Sequence, residues 1–89
     1  MEILFDASFE KSIKKLNDKK LKSRLLDVIE LFEKAESLSK IPSLKKMQGF
    51  QHFYRVRLGD YRVGFELLED NTVVFLVVAH RKEIYKYFP

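Results

Sequence analysis

The chain has 89 residues, with 17 Lys plus Arg against 13 Asp plus Glu, and so carries a formal charge of +4. That length allows one domain, spanning 1–89, and the absence of cysteine excludes disulfides and thiolate metal ligands. No apolar run approaches the ~20 residues of a membrane span, and the MEILFD start lacks the basic stretch of a signal peptide, so the expected setting is cytoplasmic, with no membrane.

The elements follow in chain order. Glu2 to Phe5 is short and apolar and reads as an opening strand. Asp6 or Ser8 can cap the helix that follows, where Phe9, Ile13 and Leu16 recur on one face. Asn17-Asp18 breaks this pattern, and Asp18 suits the N-cap of a second helix. There Leu21, Leu25, Val28, Ile29, Phe32 and Ala35 form an apolar stripe. The two make a helical hairpin. Ser37 to Leu44, with Pro42, reads as a connecting loop.

From Phe50 the period changes to 2. Tyr54, Val56 and Leu58 alternate with Phe53, Arg55 and Arg57, and Gly59-Asp60 fits a two-residue hairpin loop. Tyr61, Val63, Phe65 and Leu67 alternate with Arg62, Gly64 and Glu66. A turn at Asp70-Asn71 leads into Thr72 to His80, apolar on both faces and therefore central or covered. The tail HRKEIYKYFP is basic and aromatic. The fold class is α+β: an N-terminal strand, a helical hairpin, and a three-stranded antiparallel meander packed on the helices.

Charge is unevenly spread. Residues 1–44 hold nine basic and eight acidic side chains, while 45–62 hold Lys45, Lys46, Arg55, Arg57 and Arg62 against Asp60 alone. Residues 63–79 carry three acids and no base, and 80–89 carry Arg81, Lys82 and Lys86 against Glu83. A two-residue loop places Leu58 opposite Tyr61, Arg57 opposite Arg62 and Arg55 opposite Gly64. Arg55, Arg57 and Arg62 then share one face. Opposed like charges destabilise a strand pair, so this face calls for an anion or for side chains splayed into water. Gly64 is expected to leave an open patch where a backbone or base can approach. Arg81 joins the same face if the Asp70-Asn71 turn has two or four residues; a three-residue loop or a bulge reverses its parity. Guanidinium binds phosphate bidentately, and Phe53, Tyr85 and Tyr87 are candidates to stack bases. Three readings stand at this point: a nucleic-acid partner, a solvated face balanced by acids such as Glu66, and an acidic protein partner.

The run KKMQGFQHFYRVRLGDYRVGFEL, followed by an apolar strand and HRKEIYKYF, resembles the RelE/ParE toxin superfamily of toxin–antitoxin modules. The match covers nearly the whole chain. The resemblance implies a ribosome-dependent endoribonuclease that cuts mRNA in the ribosomal A site. Its chemistry is attack of a ribose 2′-OH on the adjacent phosphate, with no metal and no other cofactor. By matched position, Arg55 and Arg57 take places held by lysine in the best-known member, where one serves as base. Arginine stays protonated, which gives both a charge-stabilising role here. Arg62 matches a phosphate-binding arginine, and Arg81 the arginine after the last strand, an acid or a phosphate clamp. Tyr85 matches the tyrosine that stacks on the substrate base and takes part in proton transfer. His80 and Glu66 are further acid–base candidates, and His52 reads as a loop residue. Lys45, Lys46, His80, Lys82 and Lys86 are candidate RNA contacts. A cognate antitoxin is the implied protein partner, alongside mRNA and ribosomal RNA. The alternatives are a ParE-type toxin, which shares the fold and inhibits DNA gyrase by binding it, and a non-catalytic RNA- or protein-binding module.

Overall fold

The computed structural model describes residues 1–88. Its strands are β1 (Glu2–Phe5), β2 (Leu44–Lys46), β3 (Phe53–Leu58), β4 (Tyr61–Leu67) and β5 (Thr72–His80). Its helices are α1 (Ala7–Lys14), α2 (Lys19–Lys34) and the short α3 (Ile84–Tyr87), with a 3-10 turn at Leu38–Lys40. The sheet order is β1-β5-β4-β3-β2. All neighbours are antiparallel except β1, which pairs parallel with β5. The most apolar strand is therefore central, as its two apolar faces predict.

Both long helices start where a side chain can cap them. The Asp6 carboxylate accepts from the Ser8 amide, and the Asp18 carboxylate accepts from the Lys20 and Leu21 amides. Each helix turns its apolar side onto the sheet. Phe9, Leu16, Leu21, Leu25, Ile29 and Phe32 meet Val56, Val63, Phe65, Val73, Phe75 and Val78 in one core. Phe32 sits edge-on to both Phe65 and Phe75, at 5.0 and 5.1 Å between ring centroids. α1 also covers the edge of β5 beyond the reach of β1. Ser8 Oγ shares its one proton between the Asp6 carboxylate and the Leu76 carbonyl, and Ser12 Oγ accepts from the Val78 amide. Two hydroxyls thus satisfy backbone groups that would otherwise be orphaned.

The opposite face of the sheet carries a second, smaller cluster that the sequence did not announce. Met47, Val77, Ala79, Ile84 and Phe88 are buried there, with Phe53 and Leu76 packed against them. The tail folds back under the sheet as α3.

Two local expectations need correction. The segment expected as loop from Ser37 to Leu44 contains the 3-10 turn and opens β2, an edge strand paired with β3 as Leu44↔Val56, Lys45↔Arg55 and Lys46↔Tyr54. Its three residues include two exposed lysines, so no apolar period marks it; backbone pairing alone makes it a strand. Gly64 is not an open patch. A Cβ there would lie 2.8 Å from the Phe88 ring, which fills the space.

Candidate functional site

The β3–β4 hairpin sets the site. Its register is the one the two-residue loop demands: Leu58↔Tyr61, Arg57↔Arg62, Arg55↔Gly64. Gly59 has φ +60, the pattern of a turn whose first central residue is in the left-handed half of the map, which twists in the same sense as the strands. Arg55, Arg57 and Arg62 therefore project on the face away from α1 and α2.

Arg81 reaches that face by two cancelling irregularities. The β4–β5 loop has three residues, Glu69 to Asn71, closed by the Leu68 amide on the Thr72 carbonyl, with Asn71 at φ 66. That loop alone would turn Arg81 to the helix side. A bulge at Leu76 shifts the register from Phe65↔Phe75 to Gly64↔Val77 and Arg62↔Ala79. Parity is reversed twice, and Arg81, two residues past Ala79, shares the side of Arg62. Its amide donates to the Asp60 carbonyl at 2.8 Å, tying the residue to the hairpin tip.

The four guanidiniums feel one another. Arg62 has its pKa lowered, first by partial burial and then by the charges of Arg57, Arg55 and Arg81, with Asp60 opposing. Arg62 is also held in place, since its Nη1 donates to the carbonyls of Gly59 and Tyr61, both at 2.8 Å. Arg55 Nη1 donates to the Tyr85 hydroxyl, and its guanidinium carbon lies 5.3 Å from the Tyr85 ring centroid. Tyr85 is 59% exposed. Lys45, Lys46, Met47, Gln48, Phe50, Arg55 and Tyr85 line a shallow depression of about 220 Å³ beside this pair.

Other candidates lie apart. His80 pairs with Tyr61 on the helix-facing side, 5.4 Å between rings, and its Nδ1 accepts from the Lys82 amide. Glu66 shares the arginine face but stands four residues along β4 from Arg62, about 13 Å at strand rise. His52 is exposed just before β3. Phe53 is not free to stack a base, because Phe50 and Phe88 both pack edge-on to it. Tyr87 lines a separate groove of about 370 Å³ between α1, β5 and α3. The Lys15 ammonium sits 5.7 Å from its ring centroid. Lys82 and Lys86 are exposed on the tail. Among the described residues, no group of three His, Cys, Asp or Glu side chains is placed to hold a metal.

Sequence reasoning missed Lys20 and Arg24. With Arg57 these two α2 residues line a depression of about 400 Å³ at the hairpin tip. Arg24 Nη1 lies 3.0 Å from where a Cβ on Gly59 would stand. No local pattern signals this, because more than 30 residues separate Arg24 from Gly59.

Comparison with known proteins gives four findings. A family model described as "ParE toxin of type II toxin-antitoxin system, parDE" matches residues 3–85. The chain is 38% identical over 90 residues to Toxin RelE3 of Methanocaldococcus jannaschii, with all of both chains covered. The fold is similar to a chain of the RelB–RelE antitoxin–toxin complex from Methanococcus jannaschii, with TM-score 0.82, 37% identity and 97% and 99% of the two chains covered. A chain of the archaeal RelE–RelB complex from Pyrococcus horikoshii OT3 superposes with TM-score 0.72 at 25% identity, covering 90% of this chain and 93% of that one. The family description names the ParE branch, whereas these full-length relatives carry RelE names.

Proposed function

The chain belongs to the RelE/ParE family of toxins of type II toxin–antitoxin systems, and from that premise we propose that it is a ribosome-dependent endoribonuclease that cleaves mRNA in the ribosomal A site. The observation that carries this reading is the gathering of Arg55, Arg57, Arg62 and Arg81 with the Tyr85 hydroxyl on one side of the sheet, Arg57 directly opposite Arg62.

Attack of a 2′-OH on the neighbouring phosphate forms a 2′,3′-cyclic phosphate and breaks the bond to the 5′-oxygen, which leaves as a hydroxyl after taking a proton; on the way, negative charge builds on the phosphorane oxygens. Guanidiniums held before the substrate arrives stabilise that charge without reorganising. Arg62 is the best held of the four, since the turn carbonyls fix its Nη1. A phosphate between Arg57 and Arg62 also relieves the repulsion that this register imposes. Arg81 supplies the opposite arm of the clamp. Guanidinium is too basic to accept the 2′-OH proton, so proton transfer falls to Tyr85, whose exposed ring also offers a face to the substrate base. Arg55, donating to the Tyr85 oxygen, holds that oxygen on the arginine face. With Glu66 about 13 Å along β4 from Arg62 and His80 on the other side, neither stands beside the Arg57–Arg62 pair. The ribosome is needed to align the 2′-OH. Lys45, Lys46, Lys82 and Lys86 are placed to meet ribosomal RNA phosphates.

The partner of the idle toxin is a cognate antitoxin. Two archaeal relatives were solved as complexes with RelB, and an acidic chain complements the basic face.

Expression in growing bacteria, with primer extension on translated mRNA, tests the reading. Cuts phased to codons are expected, with little cleavage of the same RNA free of ribosomes. DNA damage with intact mRNA would instead indicate gyrase inhibition, the ParE-type alternative.

A further inference from the structure

Gly64 and Phe88 form a contact that links the tail to the arginine face. Gly64 lies between Arg62 and Glu66 on β4 and is buried, opposite Arg55 on β3 and Val77 on β5. The Phe88 ring occupies the space of its missing side chain, with Cγ and Cδ1 2.8 Å and Cδ2 2.9 Å from the position of a Cβ. Real Cβ atoms do not approach carbon so closely, so only glycine admits the ring. Phe88 is 3% exposed and sits edge-on to Phe53 at 5.7 Å. One helical turn earlier, Ile84 is fully buried beside Met47, Val77 and Ala79.

Ile84 opens α3 and Phe88 follows it as the extended residue that ends it, so the two anchors hold the short helix at both ends. Tyr85 follows the first anchor and emerges on the exposed side, against Arg55. Arg55 is itself the cross-strand partner of Gly64. The ring's seat and the Arg55–Tyr85 contact therefore fall on one row of the sheet. A four-residue helix has little stability of its own, so its position depends on what its anchors find beneath them.

We propose that the Phe88 ring, seated on Gly64, is the positioning device that sets Tyr85 against Arg55. Phe88 and Gly64 are positioning residues: neither touches the substrate, and both act through the tyrosine. The catalytic consequence rests on the endoribonuclease reading; the geometric part does not.

Phe88 lies outside the main core of α1, α2 and the sheet, so Phe88→Ala leaves that core intact. Gly64→Ala drives a methyl into the ring and displaces the tail from the other side. Phe88→Leu keeps most of the apolar volume and restores part of the placement. Once Phe88 is Ala, the atoms that a methyl on residue 64 would strike are gone, and Gly64→Ala adds no further displacement, a strong departure from additivity.

The experiment uses the full chain and two readouts. Proton NMR follows nuclear Overhauser contacts between the Tyr85 ring and the Arg55 side chain. Single-turnover cleavage on mRNA-programmed ribosomes is measured beside ribosome affinity by co-sedimentation. Contacts are expected in the wild type, lost in Phe88→Ala and Gly64→Ala, and partly restored in Phe88→Leu. Cleavage is expected to fall by about 10²-fold, the cost of an ångström-scale misplacement, with affinity nearly unchanged. Persistence of the Tyr85–Arg55 contacts in Phe88→Ala and Phe88→Leu alike overturns the inference, whatever happens to cleavage. Loss of the contacts with cleavage unchanged overturns the positioning role. A wild type that cuts no RNA on ribosomes, yet loses the contacts in Phe88→Ala, supports the geometry and overturns the endoribonuclease reading instead.

Discussion

The two faces of the sheet are built on different terms. The helix face buries Phe9, Phe32, Phe65, Phe75, Val63 and Val73 completely and places no charged side chain among them. The other face buries a handful of residues near one end and leaves four guanidiniums along the rest. The first is a closed core in which apolar burial of roughly 25 cal/mol per Å² accumulates. The second accepts charge repulsion, which costs stability in the free protein and becomes useful when an anion arrives. Stability and the proposed activity are thus assigned to the same strands on opposite sides, by the alternation of side chains along β3 and β4.

Substitutions that hit one face and spare the other break this comparison. The largest effect is expected from Phe32→Ala. A fully buried phenylalanine between α2 and the sheet costs about 3–5 kcal/mol when truncated, out of a total of about 5–15 kcal/mol for a domain. Urea denaturation should show the midpoint collapsing, and activity should vanish with the fold. Arg81→Ala should do the reverse. The side chain is exposed, so stability should change by no more than about 0.5 kcal/mol, while toxicity on expression is lost; full toxicity with a folded protein would remove Arg81 from the site.

Smaller effects sharpen the boundary. Ser12→Ala leaves the Val78 amide without its acceptor at the β5 edge and should cost about 1–2 kcal/mol, visible as faster exchange of that amide. Arg57→Gln removes one cation from the open face; the slope of log ribosome affinity against log salt should flatten by about 0.7, one single-strand phosphate contact, with the urea midpoint in place. The smallest effect concerns Asp6. Its pKa is lowered by the hydrogen bonds from the Ser8 hydroxyl and amide. A carboxylate with a depressed folded pKa contributes stability above its unfolded pKa and loses it as pH falls through the folded one. Asp6→Asn should therefore differ from wild type at neutral pH and converge with it in acid, followed by thermal melts across pH.

Much of this was legible from local pattern. Asp18 as a cap, the stripe from Leu21 to Phe32, and the bounds of the strand from Thr72 to His80 follow from period and capping chemistry, which act over a few residues. The hairpin register was equally legible, because a two-residue loop leaves no freedom. β2 was not, since Leu44, Lys45 and Lys46 carry no alternating signal and become a strand only by pairing with β3. Nor was the commitment of Phe53 to Phe50 and Phe88, which took a base-stacking candidate out of use.

The net charge of +4 and its concentration around the hairpin and tail are properties of the sequence itself, as is the sharing of one face by Arg55, Arg57 and Arg62, because side-chain parity along a strand pair is set by the nearest turn. Arg81 is different. Its side depends on a three-residue loop and a bulge at Leu76 whose effects cancel, and a bulge is a response to packing that no short window of sequence encodes. The seat of Phe88 on Gly64 belongs with it: 24 residues separate the two, and only the folded sheet brings a ring to the one position without a side chain to exclude it.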